Sequence, residues 1–146
     1  MNRAYFSARL DADIDRVWAI VGDFHGVADW ISAIVNCIAR GDRVSGELGA
    51  IREFTTRGGA TLQERLVAYD NGAHSYSYEF VGTIPYPVSS YRGTAHLVPI
   101  VEDGTTLIEW FGEFEADGEI RDDVKARFEK LYAVFIDDLR RHLARS

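Results

Sequence analysis

The sequence predicts an α+β architecture: a curved seven-stranded antiparallel sheet wrapped around one long C-terminal helix, with two short helices after the first strand. Three observations predict it. Between residues 34 and 115, runs of alternating apolar residues follow one another, punctuated by Gly58-Gly59, Asp70-Asn71-Gly72 and Glu102-Asp103-Gly104. From Glu119 onward the period becomes helical, and roughly 25 residues at about 1.5 Å rise give a helix near 38 Å long. The remaining helical signal is short and follows a first strand. One long helix cannot cover so wide a sheet while it lies flat. The sheet must curl, and the curl leaves space between the layers.

The elements follow in order. Tyr5 to Leu10 alternates as a strand, with Phe6, Ala8 and Leu10 on one face. Asp13 is placed to cap a helix whose apolar stripe is Val17, Trp18 and Val21. Gly22 interrupts that pattern, and a second short helix is expected near Val27 to Ile31. The strands then run Ile34 to Ala39, Ala50 to Thr56, Thr61 to Tyr69, His74 to Val81, Ser89 to Pro99 and Thr105 to Glu115. Asn71-Gly72 reads as a tight hairpin with two positive φ angles. The clearest period of two puts Tyr76, Tyr78 and Phe80 on one face. In the final helix Ile120, Val124, Phe128, Leu131, Phe135, Leu139 and Leu143 recur at steps of three and four. Glu119, Asp122 and Asp123 open it and Arg140, Arg141 and Arg145 close it, as the helix dipole favours.

At 146 residues the chain has the length of one domain, 1–146, with enough material for a core. A net charge of −7 argues against a nucleic-acid partner, because an acidic surface repels phosphates. No apolar stretch approaches spanning length, so no membrane insertion is expected. The single cysteine, Cys37, excludes an internal disulfide and fits a reducing compartment. The first residues lack the apolar centre of a signal peptide, and the expected location is cytoplasmic. Neither a metal nor a cofactor is expected. The four histidines show no ligand spacing, and no glycine-rich loop precedes a helix.

Several fragments carry a resemblance. They are Val17-Trp18 with Asp23-Phe24 and Trp30, then Gly49-Ala50-Ile51-Arg52, Glu64-Arg65-Leu66 with Asp70, Pro85-Tyr86-Pro87 before Tyr91, and Glu109-Trp110. In this order and spacing the chain resembles the START and birch-pollen-allergen-like superfamily of polyketide cyclase/dehydrase and lipid-transport proteins. Among its members it looks closest to bacterial relatives of the plant abscisic-acid receptors. The resemblance implies a helix-grip fold and a cavity between sheet and C-terminal helix. It likens Arg57-Gly58-Gly59-Ala60 to the receptors' gate loop and Thr83 to Pro87 to their latch. Val35 falls near the receptors' carboxylate-binding lysine and cannot replace it, so neither hormone sensing nor a phosphatase partner is implied.

Within such a cavity the resemblance points Glu64 and Glu109 inward, where burial would raise a carboxyl toward working pH. Polarity alone points the other way for Glu109, because it groups Trp110 with Phe114 and Glu109 with Phe111 and Glu113. A bulge at Gly112 would reconcile the two. With Tyr91 these glutamates form the candidate catalytic set; for each glutamate the competing reading is a structural group paired with Arg52 or Tyr91. The candidate ligand-contacting set is Trp30, Arg52, Phe54, Tyr76, Tyr78 and Phe80 from the first helices and strands. Phe111, Phe128, Leu131 and Phe135 complete it; ordinary core packing explains any single aromatic equally well. The expected function is binding of a small hydrophobic or aromatic molecule by a monomer or homodimer. The alternative is a cofactor-independent cyclase, dehydratase or lyase using Glu and Tyr as acid and base.

Overall fold

Alternation begins earlier than the apolar residues of the first run suggest. In the computed structural model, which describes residues 1–145, strand β1 spans Asn2–Leu10. Helix α1, Ile14–Val21, is capped as expected: Asp13 Oδ1 accepts the Arg16 amide at 3.0 Å. Its buried residues are Val17, Trp18 and Val21. The second short helix is a 3-10 turn over Phe24–Asp29, placed slightly before the expected segment. Strands β2 (Ile34–Arg40), β3 (Ile51–Thr56), β4 (Thr61–Asp70), β5 (Ser75–Phe80), β6 (Ser90–Ile100) and β7 (Thr105–Glu115) follow, and helix α2 spans Arg121–Arg145.

The strands form one seven-stranded sheet in the order β1-β7-β6-β5-β4-β3-β2, antiparallel throughout. The two short helices therefore carry the chain from one edge of the sheet to the other. The amide of Tyr5 on edge strand β1 donates to Glu129 Oε2 of α2 at 3.1 Å, which occupies a donor an open edge would leave free.

One face of the sheet carries Leu66, Tyr76, Leu97, Ile108, Trp110 and Phe114, all buried. Val124, Phe128, Tyr132, Ile136, Leu139 and Leu143 of α2 pack into the same cluster. The stripe is thus centred one position from the expected one: Tyr132 and Ile136 are fully buried, while Leu131 and Phe135 are half-buried. Among the described residues no helix is long and apolar enough to cross a membrane.

Two local expectations are corrected. The β4–β5 connection is not a two-residue turn with positive φ at Asn71 and Gly72; the left-handed residue is His74, at φ 54°. Asp70 Oδ1 accepts the Ala73 amide at 2.9 Å and Asn71 Oδ1 accepts Trp18 Nε1 at 2.8 Å, so side chains set this turn. No bulge occurs at Gly112, because β6 and β7 pair without a break from Ser90↔Glu115 to Ile100↔Thr105.

Candidate functional site

Strand alternation brings one side chain in two to the concave face. On β3 these are Arg52, Phe54 and Thr56, and on β4 Leu62 and Glu64. Tyr78 and Phe80 of β5, Tyr91 of β6 and Trp110 of β7 continue the surface. Leu131 and Phe135 of α2 close it from the opposite side. Val27, Ile31, Ala33 and Ile34 border one part, and Tyr86 of the β5–β6 loop another. Together they enclose a mostly apolar cavity of about 120 Å³. The segment bordering it is fixed to the helix by Asp138, whose Oδ2 accepts both the Ser32 amide and hydroxyl at 2.9 Å.

A buried ion pair lies in the cavity wall. Arg52 and Glu64 are register partners on β3 and β4, which brings their side chains together. Arg52 Nε and Nη2 both donate to Glu64 Oε1, at 2.8 and 2.7 Å, and Nη1 donates to the Phe24 carbonyl at 3.0 Å. The guanidinium lies 4.1 Å from the centre of the Phe24 ring and 5.1 Å from that of Tyr78. Only 3% of Arg52 and 6% of Glu64 is exposed, so solvent screens this pair little. Burial pushes the Glu64 carboxyl up, and the attraction of Arg52 brings it only part of the way back.

A group of tyrosines adjoins the pair. The Tyr91 and Tyr132 hydroxyls share a 2.6 Å hydrogen bond, and Trp110 Nε1 donates to the Tyr78 hydroxyl at 3.1 Å. Space for these rings comes from two glycines that pair directly across β6 and β7, Gly93↔Gly112. A Cβ at Gly93 would stand 2.3 Å from the Tyr78 ring, and one at Gly112 would stand 2.1 Å from the Tyr132 hydroxyl. Burial raises Tyr78 and Tyr91 well above the usual phenol range, and Tyr132 above it as well. Their hydroxyls therefore stay protonated at neutral pH and act as hydrogen-bonding groups rather than phenolates.

Of the residues singled out from sequence, Arg52, Phe54, Glu64, Tyr78, Phe80, Tyr91, Leu131 and Phe135 border the cavity. Trp30, Tyr76 and Phe128 are buried in the core but do not line it. Glu109 and Phe111 must be corrected. The unbroken β6–β7 register gives the inner face to Trp110, Gly112 and Phe114, so both residues point outward. There Glu109 Oε1 lies 2.9 Å from His96 Nδ1, and Oε2 accepts the Tyr5 hydroxyl. The Tyr5 hydrogen bond, helped by His96, holds the Glu109 carboxyl below the usual range despite some burial. Polarity alternation gave the right face and the family comparison the wrong one.

Sequence reasoning missed Tyr132 and Asp138, and it marked Tyr86 only within the latch-like stretch, not as a residue that borders the cavity. Tyr132 sits four residues from both Phe128 and Ile136, so a strict step of four along α2 finds it. Tyr86 is an aromatic ring between Pro85 and Pro87, and it packs edge-on against Phe128 with ring centres 4.9 Å apart. No sequence signal singles out Asp138.

The fold has solved relatives. A Nitrosospira multiformis protein is 27% identical, with a TM-score of 0.80 over 95% of this chain and 94% of that one. A Thermobifida fusca protein is 26% identical, with a TM-score of 0.86 over 97% and 93%. Norcoclaurine synthase from Thalictrum flavum, in complex with dopamine and hydroxybenzaldehyde, is 17% identical, with a TM-score of 0.76 over 99% and 87%. No curated protein matches the chain at a significant level. The family described as polyketide cyclase / dehydrase and lipid transport matches residues 1–144. With that match over nearly its whole length, and with the helix-grip architecture above, the chain belongs to the polyketide cyclase/dehydrase and lipid-transport family.

Proposed function

We propose that the protein binds a small hydrophobic or aromatic organic molecule in the cavity between sheet and helix α2. The observation that carries this reading is a mostly apolar hollow of about 120 Å³, bordered by rings and aliphatic chains from six strands and α2. Apolar surface removed from water there contributes about 25 cal/mol per Å², offset by the cost of ordering ligand and walls. The family description, which includes lipid transport, agrees with a carrier or sensor. Norcoclaurine synthase lends a precedent for single-ring compounds on the same fold. The lone thiol of Cys37 suits a cytoplasmic carrier.

A second reading has one observation in its favour. Glu64, with its raised carboxyl, borders the same cavity as the protonated Tyr91. That pair suits cyclisation, dehydration or lyase-type cleavage, in which one proton is removed and another delivered. A trace of protein incubated with metabolite extract from its source organism separates the readings when every compound is followed by mass spectrometry. Stoichiometric retention of one compound supports the carrier or sensor. Disappearance far beyond the molar amount of protein, abolished in Glu64→Gln, supports the enzyme. Neither result in a competent extract counts against both.

A further inference from the structure

Charge, volume and an open acceptor at one place in the cavity wall narrow the class of ligand. The volume of about 120 Å³ lies below the roughly 300–1,000 Å³ of sites for drug-sized molecules. It is close to an engineered apolar cavity of about 150 Å³ that holds benzene. One ring fits such a space; two fused rings do not fit without movement of the walls. Tyr78, Phe80, Tyr86, Tyr91, Trp110 and Phe135 supply faces and edges for that ring.

The ion pair sets the polarity. Glu64 Oε1 takes both hydrogen bonds from Arg52. Among the described residues no protein group donates to Oε2, although Glu64 is 94% buried and borders the cavity. An ionised carboxylate only accepts hydrogen bonds, so what this wall lacks is a donor. The charges of Arg52 and Glu64 already cancel. An anion or cation entering beside them would lose its hydration and find no uncompensated partner.

We propose that the cavity selects a neutral compound the size of one aromatic ring that carries a hydrogen-bond donor, phenol being the simplest case, with the donor on Glu64 Oε2. This rests on the reading of the cavity as a ligand site. The donor end lies toward Arg52 and Glu64, and the apolar end toward Leu131 and Phe135 of α2.

The test is isothermal titration of the full chain at pH 7 with toluene, phenol, benzoate, benzylammonium and 1-naphthol. A hydrogen bond to a buried charged group is worth about tenfold or more in affinity. Phenol is therefore expected to bind at least about tenfold tighter than toluene, with benzoate, benzylammonium and 1-naphthol all weaker than toluene. In Glu64→Leu the preference for phenol is expected to fall to near unity. Should that variant not fold, the ligand series on the unaltered chain decides alone. Toluene equal to phenol, or either ion bound more tightly, overturns the neutral-donor inference and leaves the ligand site standing. Tightest binding of 1-naphthol overturns the single-ring limit. Binding of none of the five overturns the ligand-site reading and this inference with it.

Discussion

Arg52 and Glu64 hold opposite charges in a place where neither is tolerated alone. Removing one partner leaves an uncompensated buried charge, at a cost of about 3–5 kcal/mol, whereas replacing both with apolar groups of similar volume is often neutral or stabilising. Arg52→Met and Glu64→Leu should each destabilise the protein by about that amount in urea denaturation, and the double variant should recover most of the loss. Equal, additive losses would mean that the two side chains do not act as a pair. On the opposite face, Glu109 makes a different prediction. Its carboxyl is depressed in the folded state, chiefly by the Tyr5 hydroxyl. A depressed carboxyl stabilises the fold above the ordinary carboxylate value of about 4.3 and loses that contribution as pH falls through its folded value. Tyr5→Phe should raise the Glu109 pKa in an NMR titration of the side-chain carboxyls. An unchanged value would show that the Tyr5 contact does not form in solution.

At the scale of elements, β6 and β7 build the cavity floor through what they omit. The paired glycines Gly93 and Gly112 leave room for the Tyr78, Tyr91 and Tyr132 rings. A methyl group at Gly112 overpacks the site, which typically costs about 1–3 kcal/mol. Gly112→Ala should lower stability by that order in denaturant and separate the Tyr91 and Tyr132 hydroxyls. A variant as stable as the parent would contradict the close approach. The alternation of β5 and β7 was legible because large rings mark one face: Tyr76, Tyr78 and Phe80 on β5, Trp110 and Phe114 on β7. The turn after β4 was not, because Asp70 and Asn71 determine it through side-chain hydrogen bonds to Ala73 and Trp18. The outward direction of Glu109 is legible in the same alternation, which sets it opposite Trp110 and Phe114; the resemblance alone implied the inward one.

Across the whole molecule, a long helix held against a curled sheet accounts for the hollow, and this much followed from the number and order of elements. The size of the hollow did not. It depends on which ring points where, on Tyr132 rather than Leu131 taking the centre of the α2 face, and on Asp138 holding Ser32. Leu131 remains at the cavity border, which makes it the place to fill the space. Leu131→Trp should abolish uptake of a single-ring ligand at a stability cost of about 1–3 kcal/mol from overpacking. Ligand uptake that survives this substitution would place the bound molecule elsewhere.

The central claim is that a small molecule occupies this cavity, and titrating phenol into methyl-labelled protein tests it most directly. Saturable one-to-one shifts should appear at the methyl groups of Val27, Ile31, Leu62 and Leu131, and these should vanish from the remaining methyls in Leu131→Trp. Shifts confined to surface methyls, or none at all, would contradict the account.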